Sequence, residues 1–311
     1  MVSINGLEGL SVKDFRALVA LSELRHFGRA AQQCGIAQPS LSAIVKKAEA
    51  ALQAPLFARS SRTVELTPEG EVAIPVMEEM LRTLERLTRI RQSSIARLLG
   101  EFRLGIIPTL GPYLLPHCMP ALKERFPKLE LTLVEAQTQR LIKMLQARRI
   151  DAALVSLPLD EGSLVEIPLF QEELALATPA DHALARRQSV GVGDIDPKEI
   201  ILLEDGHCLR EDVLRQCNPQ NRATKATHAA SLEVQRYMVQ AGTGCAVFPA
   251  LAVHWDTARS PLLRYVPFHH PAPSRTVGIV YPRNGFRADD VKALSECLAG
   301  LSMPTSVSRG S

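Results

Sequence analysis

Thiols are the groups of this 311-residue sequence best suited to chemistry of their own, and six are present: Cys34, Cys118, Cys208, Cys217, Cys245 and Cys297. None forms a C-x-x-C pair and none stands with histidine at zinc-finger spacing, so no metal ligands are assigned and structural zinc is not expected. In a reducing compartment the default role of each is a small buried apolar side chain. Cys208 is set apart by its neighbours. It follows Glu204-Asp205-Gly206, where a helix can begin, with His207 before it and Arg210 just after. A thiol in a helical first turn near His207 and Arg210 is favoured as the nucleophilic thiolate, whereas Glu204 and Asp205 work the other way unless they point outward. His254-Trp255 and His269-His270 read as solvated loop residues. No G-x-S-x-G elbow, phosphate-binding loop or dinucleotide fingerprint organises the many Ser, His and Asp residues, so neither a metabolic enzyme nor a bound cofactor is expected.

A second chemistry is the reading of a polyanion. Residues 1–68 carry eight Lys or Arg against five Asp or Glu, an excess equal to the whole net charge of +3, while the rest of the chain balances at 28 against 28. That placement suits a DNA-contacting module. Apolar positions recur at helical spacing from Ser11 to Leu24, a second run opens at Gly28-Arg29-Ala30-Ala31, and Gly35 interrupts it. Pro39 then sits at a first helical position, followed by Ser40-Leu41-Ser42-Ala43-Ile44-Val45-Lys46-Lys47. Two short helices joined by a Gly-containing turn make a helix-turn-helix. Ala30, Ala31, Ile36, Leu41 and Ile44 pack inward, leaving Gln38, Ser40, Ser42 and Lys46 for a major groove. Thr63-Val64-Glu65-Leu66 alternates like a strand, and Arg59-Ser60-Ser61-Arg62 reads as the basic tip of a wing on phosphates.

Thr67-Pro68 reads as an N-cap and first helical position opening a long amphipathic helix to about Leu99, suited to dimerisation, with a kink or late start expected from Pro75. From Gly100 short strands alternate with helices. Phe102–Ile107, Leu129–Glu135, Ile150–Leu157, Leu174–Thr178, Ile200–Leu203, Cys245–Phe248 and Thr276–Tyr281 are the expected strands, in an α/β fold with largely parallel sheets. A ligand site beyond the carboxyl ends of such strands falls near Pro108-Thr109 and Gln137-Thr138. The domains are then 1–68, 69–99 and 100–301, with 302–311 as a disordered tail. Composition, 46% hydrophobic and 22% charged, is that of a globular protein. No apolar run is long enough to span a membrane and no signal peptide opens the chain, so a cytoplasmic location is expected.

Phe27-Gly28-Arg29-Ala30-Ala31, Gln38-Pro39-Ser40-Leu41-Ser42 and Leu66-Thr67-Pro68-Glu69-Gly70 resemble the LysR-type transcriptional regulators. Within that family the effector half is similar to the hydrogen-peroxide sensors, through Gly105-Ile106-Ile107-Pro108-Thr109, Gly111 to His117, Glu135-Ala136-Gln137-Thr138 and above all Leu203 to Arg210 with Cys217. The resemblance implies an N-terminal winged helix-turn-helix, a dimerising linker helix and a two-lobed, periplasmic-binding-protein-like effector domain. It implies a homodimer or homotetramer on promoter DNA, working with RNA polymerase and signalled by hydrogen peroxide. Cys208 would be the peroxidatic and Cys217 the resolving cysteine, with Thr109, Thr138, His207, Arg210 and Arg275 around the peroxide. Arg29, Gln38, Pro39, Ser40, Ser42 and Lys46 would contact DNA, with Arg59 and Arg62 on phosphates. Ala37, Ala48, Gln53 and Pro75 depart from the family pattern, which has serine commonly at the first, leucine at the second and glycine at the third.

If Cys208 to Cys217 is helical, nine steps of about 1.5 Å separate the Cα atoms by roughly 13 to 14 Å, and about 900° of turn sets them on opposite faces. A disulfide needs Cα atoms about 4.4–6.8 Å apart, so oxidation would unravel the segment. A family member answering a small organic effector between its lobes, and a thiol peroxidase using the same cysteines, are the competing readings.

Overall fold

The computed structural model describes residues 9–59, 64–89, 98–217, 227–256, 260–285, 287–301, 303–304 and 306–309. The chain forms two compact units, Met1–Ala96 and Arg97–Ser311.

In the first unit, α1 (Val12–Leu24) starts from a reciprocal capping box, Ser11 N–H to Asp14 and Asp14 N–H to Ser11, and stops where Arg25 turns left-handed. α2 (Phe27–Gln33) is capped by the His26 ring, and Gly35 (φ +65°) makes the turn to α3 (Gln38–Leu52). The α3 N-cap is Ala37, which offers no side-chain acceptor; the serine common in the family would supply one. Leu18, Leu21, Ala30, Leu41, Val45 and Ala48 form a core fully withdrawn from solvent, with Ile36 and Ile44 packed at its margin. β1 (Phe57–Arg59) and β2 (Val64–Leu66) pair antiparallel as the stem of the expected wing, whose tip lies outside the described residues.

α4 (Pro68–Arg89) begins at Pro68 and runs through Pro75, so the late start expected from that proline does not occur. Thr67 caps Gly70 N–H at 3.0 Å, and Ile74, Met77 and Leu81 are buried in the unit's core, which outweighs one lost helical hydrogen bond. The expected continuation toward Leu99 falls on residues 90–97, outside the described residues.

In the second unit a first lobe is built from β3 (Gly100–Ile106), α5 (Gly111–Arg125), β4 (Leu129–Glu135), α6 (Thr138–Gln146), β5 (Ala152–Leu157) and the first half of β6 (Leu164–Pro179). The chain then enters a second lobe of β7 (Ile201–Leu203), α7 (Cys208–Cys217), β8 (Thr227–Ala229), α8 (Leu232–Gln240), β9 (Ala246–Pro249), α9 (Ala250–Asp256) and β10 (Leu263–Pro267). β11 (Ser274–Pro282) and α10 (Ala288–Ala299) return it to the first.

The sheet is mixed, not largely parallel. β3 pairs parallel with β4 and β5, but β6 pairs antiparallel with β9, β10, β11 and the terminal strand β12 (Val307–Arg309). The reason is that β6 is one 16-residue strand crossing both lobes, and the returning segments run against it. β12 also corrects the expectation of a disordered tail after residue 301: Val307 is buried and the strand pairs with Phe170–Glu172.

Candidate functional site

Cys208 opens α7 at the place expected for a helix start. Gly206 before it has φ +92°, and a Cβ there would lie 2.6 Å from the Gln137 amide oxygen, so glycine allows this turn to dock on the segment leading into α6. Gln137 Nε2 in turn donates to the Asp205 carbonyl at 3.3 Å. The second lobe thus brings Cys208 up to the carboxyl ends of β3 and β4, where Thr109 and Thr138 stand.

Arg275, at the start of β11, is the centre of the site. Its Nη1 and Nη2 donate to the hydroxyl and carbonyl of Thr109, and its Nε donates to Glu172 at 2.8 Å. Both charged side chains are completely buried. Ser156 on β5 donates to Asp212 on α7 at 3.2 Å, and Arg215 donates to the other Asp212 oxygen at 2.6 Å.

These groups set the state of the thiol. Burial pushes Cys208 above the ordinary cysteine value; the charge of Arg275 pulls it down, Asp212 pushes it up, and the approach of the Thr138 hydroxyl and the Ser156 backbone favours the thiolate. The Thr138 hydroxyl is buried, turned toward the thiol and short of good hydrogen-bond geometry with any described group. Cys217 closes α7; burial first, then Asp212, pushes its thiol up to about 12. Both cysteines are free thiols at opposite ends of an intact helix, so a disulfide between them would require unravelling.

Of the residues singled out in the sequence, Thr109, Thr138, Cys208 and Arg275 come together. The cation beside the thiol is Arg275, not Arg210 or His207. Arg210 instead bonds the Leu203 carbonyl and pairs with Asp205 at 2.9 Å. His207 is buried against the Ala230 carbonyl, and burial lowers its pKa, so the ring is neutral at pH 7. Asp212, Ser156 and Glu172 were not anticipated. Strand alternation carried one signal: Phe170, Glu172 and Leu174 share the buried side of β6. Helix spacing carried another, because Asp212 lies between Leu209 and Val213 on the inward face of α7 and four residues from Cys208.

In the first unit Arg29, Gln38, Pro39, Ser40 and Lys46 are exposed and Ser42 is half-buried, so α3 presents a polar face opposite Leu41, Val45 and Ala48. Arg59 ends β1; its side chain, and Arg62 altogether, lie outside the described residues. Among the described residues no helix is long and apolar enough to cross a membrane.

Residues 12–71 match the bacterial regulatory helix-turn-helix protein, lysR family, and residues 96–301 match the LysR substrate binding domain. The chain is 39% identical over 274 residues to the DNA-binding transcriptional dual regulator OxyR of Escherichia coli, covering 88% of this chain and 89% of that protein. It is 35% identical to a probable hydrogen peroxide-inducible genes activator of Mycobacterium avium, covering 94% of each. A full-length OxyR from Pseudomonas aeruginosa with a Cys-to-Asp substitution superposes with TM-score 0.77 at 31% identity, covering 98% of this chain and 99% of that one. A peroxide-bound Cys-to-Ser mutant of Corynebacterium glutamicum OxyR gives 0.65 at 32% identity, covering 93% and 91%. With both units matched and the helix-turn-helix in place, the chain belongs to the LysR family of DNA-binding transcriptional regulators and is not an enzyme.

Proposed function

We propose that this regulator responds to hydrogen peroxide through Cys208 and Cys217 and controls oxidative-stress genes. The observation that carries the reading is the placing of the Cys208 thiol against the Thr138 hydroxyl and the charge of Arg275, which itself holds Thr109. The likeness to OxyR proteins over both units adds to it.

In the first step the Cys208 thiolate attacks one peroxide oxygen. The S–O bond forms as the O–O bond breaks, sulfur is oxidised to the sulfenic acid, and the second oxygen leaves as hydroxide that takes up a proton to become water. Because burial disfavours the thiolate, the acceleration must come from charge and hydrogen bonds at the leaving oxygen, the part assigned to Arg275 and the two threonine hydroxyls. In the second step Cys217 sulfur displaces the sulfenic oxygen as water, forming the disulfide. With α7 helical the Cα atoms are about 13 to 14 Å apart, so this step melts α7 and converts oxidation into a change of shape. α4 supports dimerisation, since Val72 and Val76 are 70% and 62% exposed one turn apart. Promoter DNA then meets α3 of each copy, with RNA polymerase as the downstream partner.

The test gives reduced full-length protein one equivalent of hydrogen peroxide, digests it without reductant and maps disulfides by mass spectrometry. A Cys208–Cys217 linkage with faster amide exchange across α7 is expected. Survival of both thiols would overturn the reading.

A further inference from the structure

His182, Glu199 and Cys245 meet in the second lobe, apart from the Cys208 site. Cys245 Sγ lies 3.9 Å from His182 Nε2, which lies 3.5 Å from a Glu199 carboxylate oxygen, and all three donor atoms are within 4.8 Å of one another. No other such trio occurs among the described residues. Tetrahedral zinc bonds of about 2.0 to 2.3 Å set neighbouring donors about 3.3 to 3.8 Å apart. The trio is therefore close to closing on one ion, with the exposed Glu199 side chain supplying the remaining adjustment.

The backbone holds two of the donors together. Cys245 N–H donates to the Glu199 carbonyl and Ile201 N–H to the Cys245 carbonyl, both at 2.8 Å. Gly244 permits this approach, because a Cβ there would lie 2.2 Å from the Glu199 carbonyl oxygen. His182 follows β6 directly, its N–H bound to the Pro179 carbonyl at 3.1 Å. Exposure is graded across the trio: Cys245 is buried, the His182 side chain is 24% exposed and that of Glu199 51%. The sulfur is thus shielded from oxidants while the carboxylate side faces water.

Thiolate, imidazole and carboxylate together are the donor set of a borderline-soft ion. We infer that His182, Glu199 and Cys245 bind a divalent cation of the zinc class, with water as the fourth ligand. Binding displaces the proton of the Cys245 thiol, so affinity rises with pH. Ligation through Nε2 puts the ring proton on Nδ1, so the Leu184 N–H, which donates to Nδ1 at 3.2 Å, gives up that acceptor. The ion ties the segment after β6 to the starts of β7 and β9, and β7 leads directly to Gly206 and Cys208.

The test uses full-length protein with Cys208→Ser and Cys217→Ser, which removes the other proposed reactive thiols, freed of metal by chelator and titrated with cobalt(II). Expected is one cobalt per chain with a thiolate-to-cobalt charge-transfer band and intense tetrahedral visible bands, displaced by zinc. Cys245→Ser should abolish the charge-transfer band. Glu199→Gln, at an exposed position that leaves folding intact, should weaken cobalt binding about tenfold or more. Absence of stoichiometric binding, a weak octahedral spectrum, or a spectrum indifferent to both substitutions in protein of unchanged near-ultraviolet circular dichroism would overturn the inference.

Discussion

Arg275 grips Thr109 twice, through Nη1 to its hydroxyl at 2.9 Å and through Nη2 to its carbonyl at 3.0 Å. Since the hydroxyl oxygen accepts from the guanidinium, its own hydrogen is left for a second acceptor. The same arginine holds Glu172, whose other oxygen accepts Leu251 N–H at 2.8 Å. One buried cation thus joins β3, β6 and β11 to the start of α9 and acts on the Cys208 thiol.

Thr109→Val keeps the volume and removes the hydroxyl. It should slow sulfenic acid formation at Cys208 about tenfold or more while costing about 1 to 3 kcal/mol of stability for the orphaned Arg275 donor. Arg275→Gln should cost about 3 to 5 kcal/mol, because it strands a fully buried Glu172. Stopped-flow peroxide kinetics and urea denaturation separate the two effects; an unchanged rate in Thr109→Val would remove that hydroxyl from the chemistry.

Asp212 opposes the Cys208 thiolate by its charge. Asp212→Asn retains an acceptor for Ser156 and should raise the peroxide rate at pH 7 by roughly tenfold per unit of lowered thiol pKa. A fall in rate would assign Asp212 the role of proton acceptor instead.

Alkaline pH should destabilise the fold. Burial holds Cys217 up to about 12 and Cys118 up to about 11, above the ordinary thiol. Below about pH 8.5 folded and unfolded chains bind these protons equally. Above it the unfolded chain releases them first, so stability is lost as pH rises through the folded values, by up to about 1.4 kcal/mol per pH unit for each thiol. Urea midpoints should fall steadily from about pH 8.5 upward, and Cys118→Ala should flatten the slope; a flat profile in the parent protein contradicts the burial of these thiols.

Arg62→Ala should weaken binding to every promoter alike and reduce the slope of log affinity against log salt by about 1, as loss of a phosphate contact requires. Gln38→Ala, on the exposed face of α3, should instead change which half-sites are preferred. Fluorescence anisotropy across a salt series distinguishes them, and an unaltered slope in Arg62→Ala would take that residue off the phosphates.

What the sequence by itself determined was local. The cap at Thr67, proline at a first helical position, the Gly35 turn and the 3.6-residue apolar period specify the winged helix-turn-helix and the start of the helix after it from neighbours a few residues apart. The helix start at Cys208 was legible for the same reason, while its run to Cys217 stood as a condition that α7 meets. Tertiary structure alone decided the surroundings of the thiol. Nothing in the spacing of Arg275 reveals that it, not Arg210, lies beside Cys208, or that it needs Glu172, because those contacts join strands distant in sequence through a mixed sheet. Nor does local pattern predict that burial outweighs the helix start and hold the thiol up, since desolvation depends on everything packed around the sulfur. The mixed pairing of β6 and the strand at Val307 were hidden likewise: strand direction and edge pairing are set by which segments meet, and period-2 alternation is blind to it.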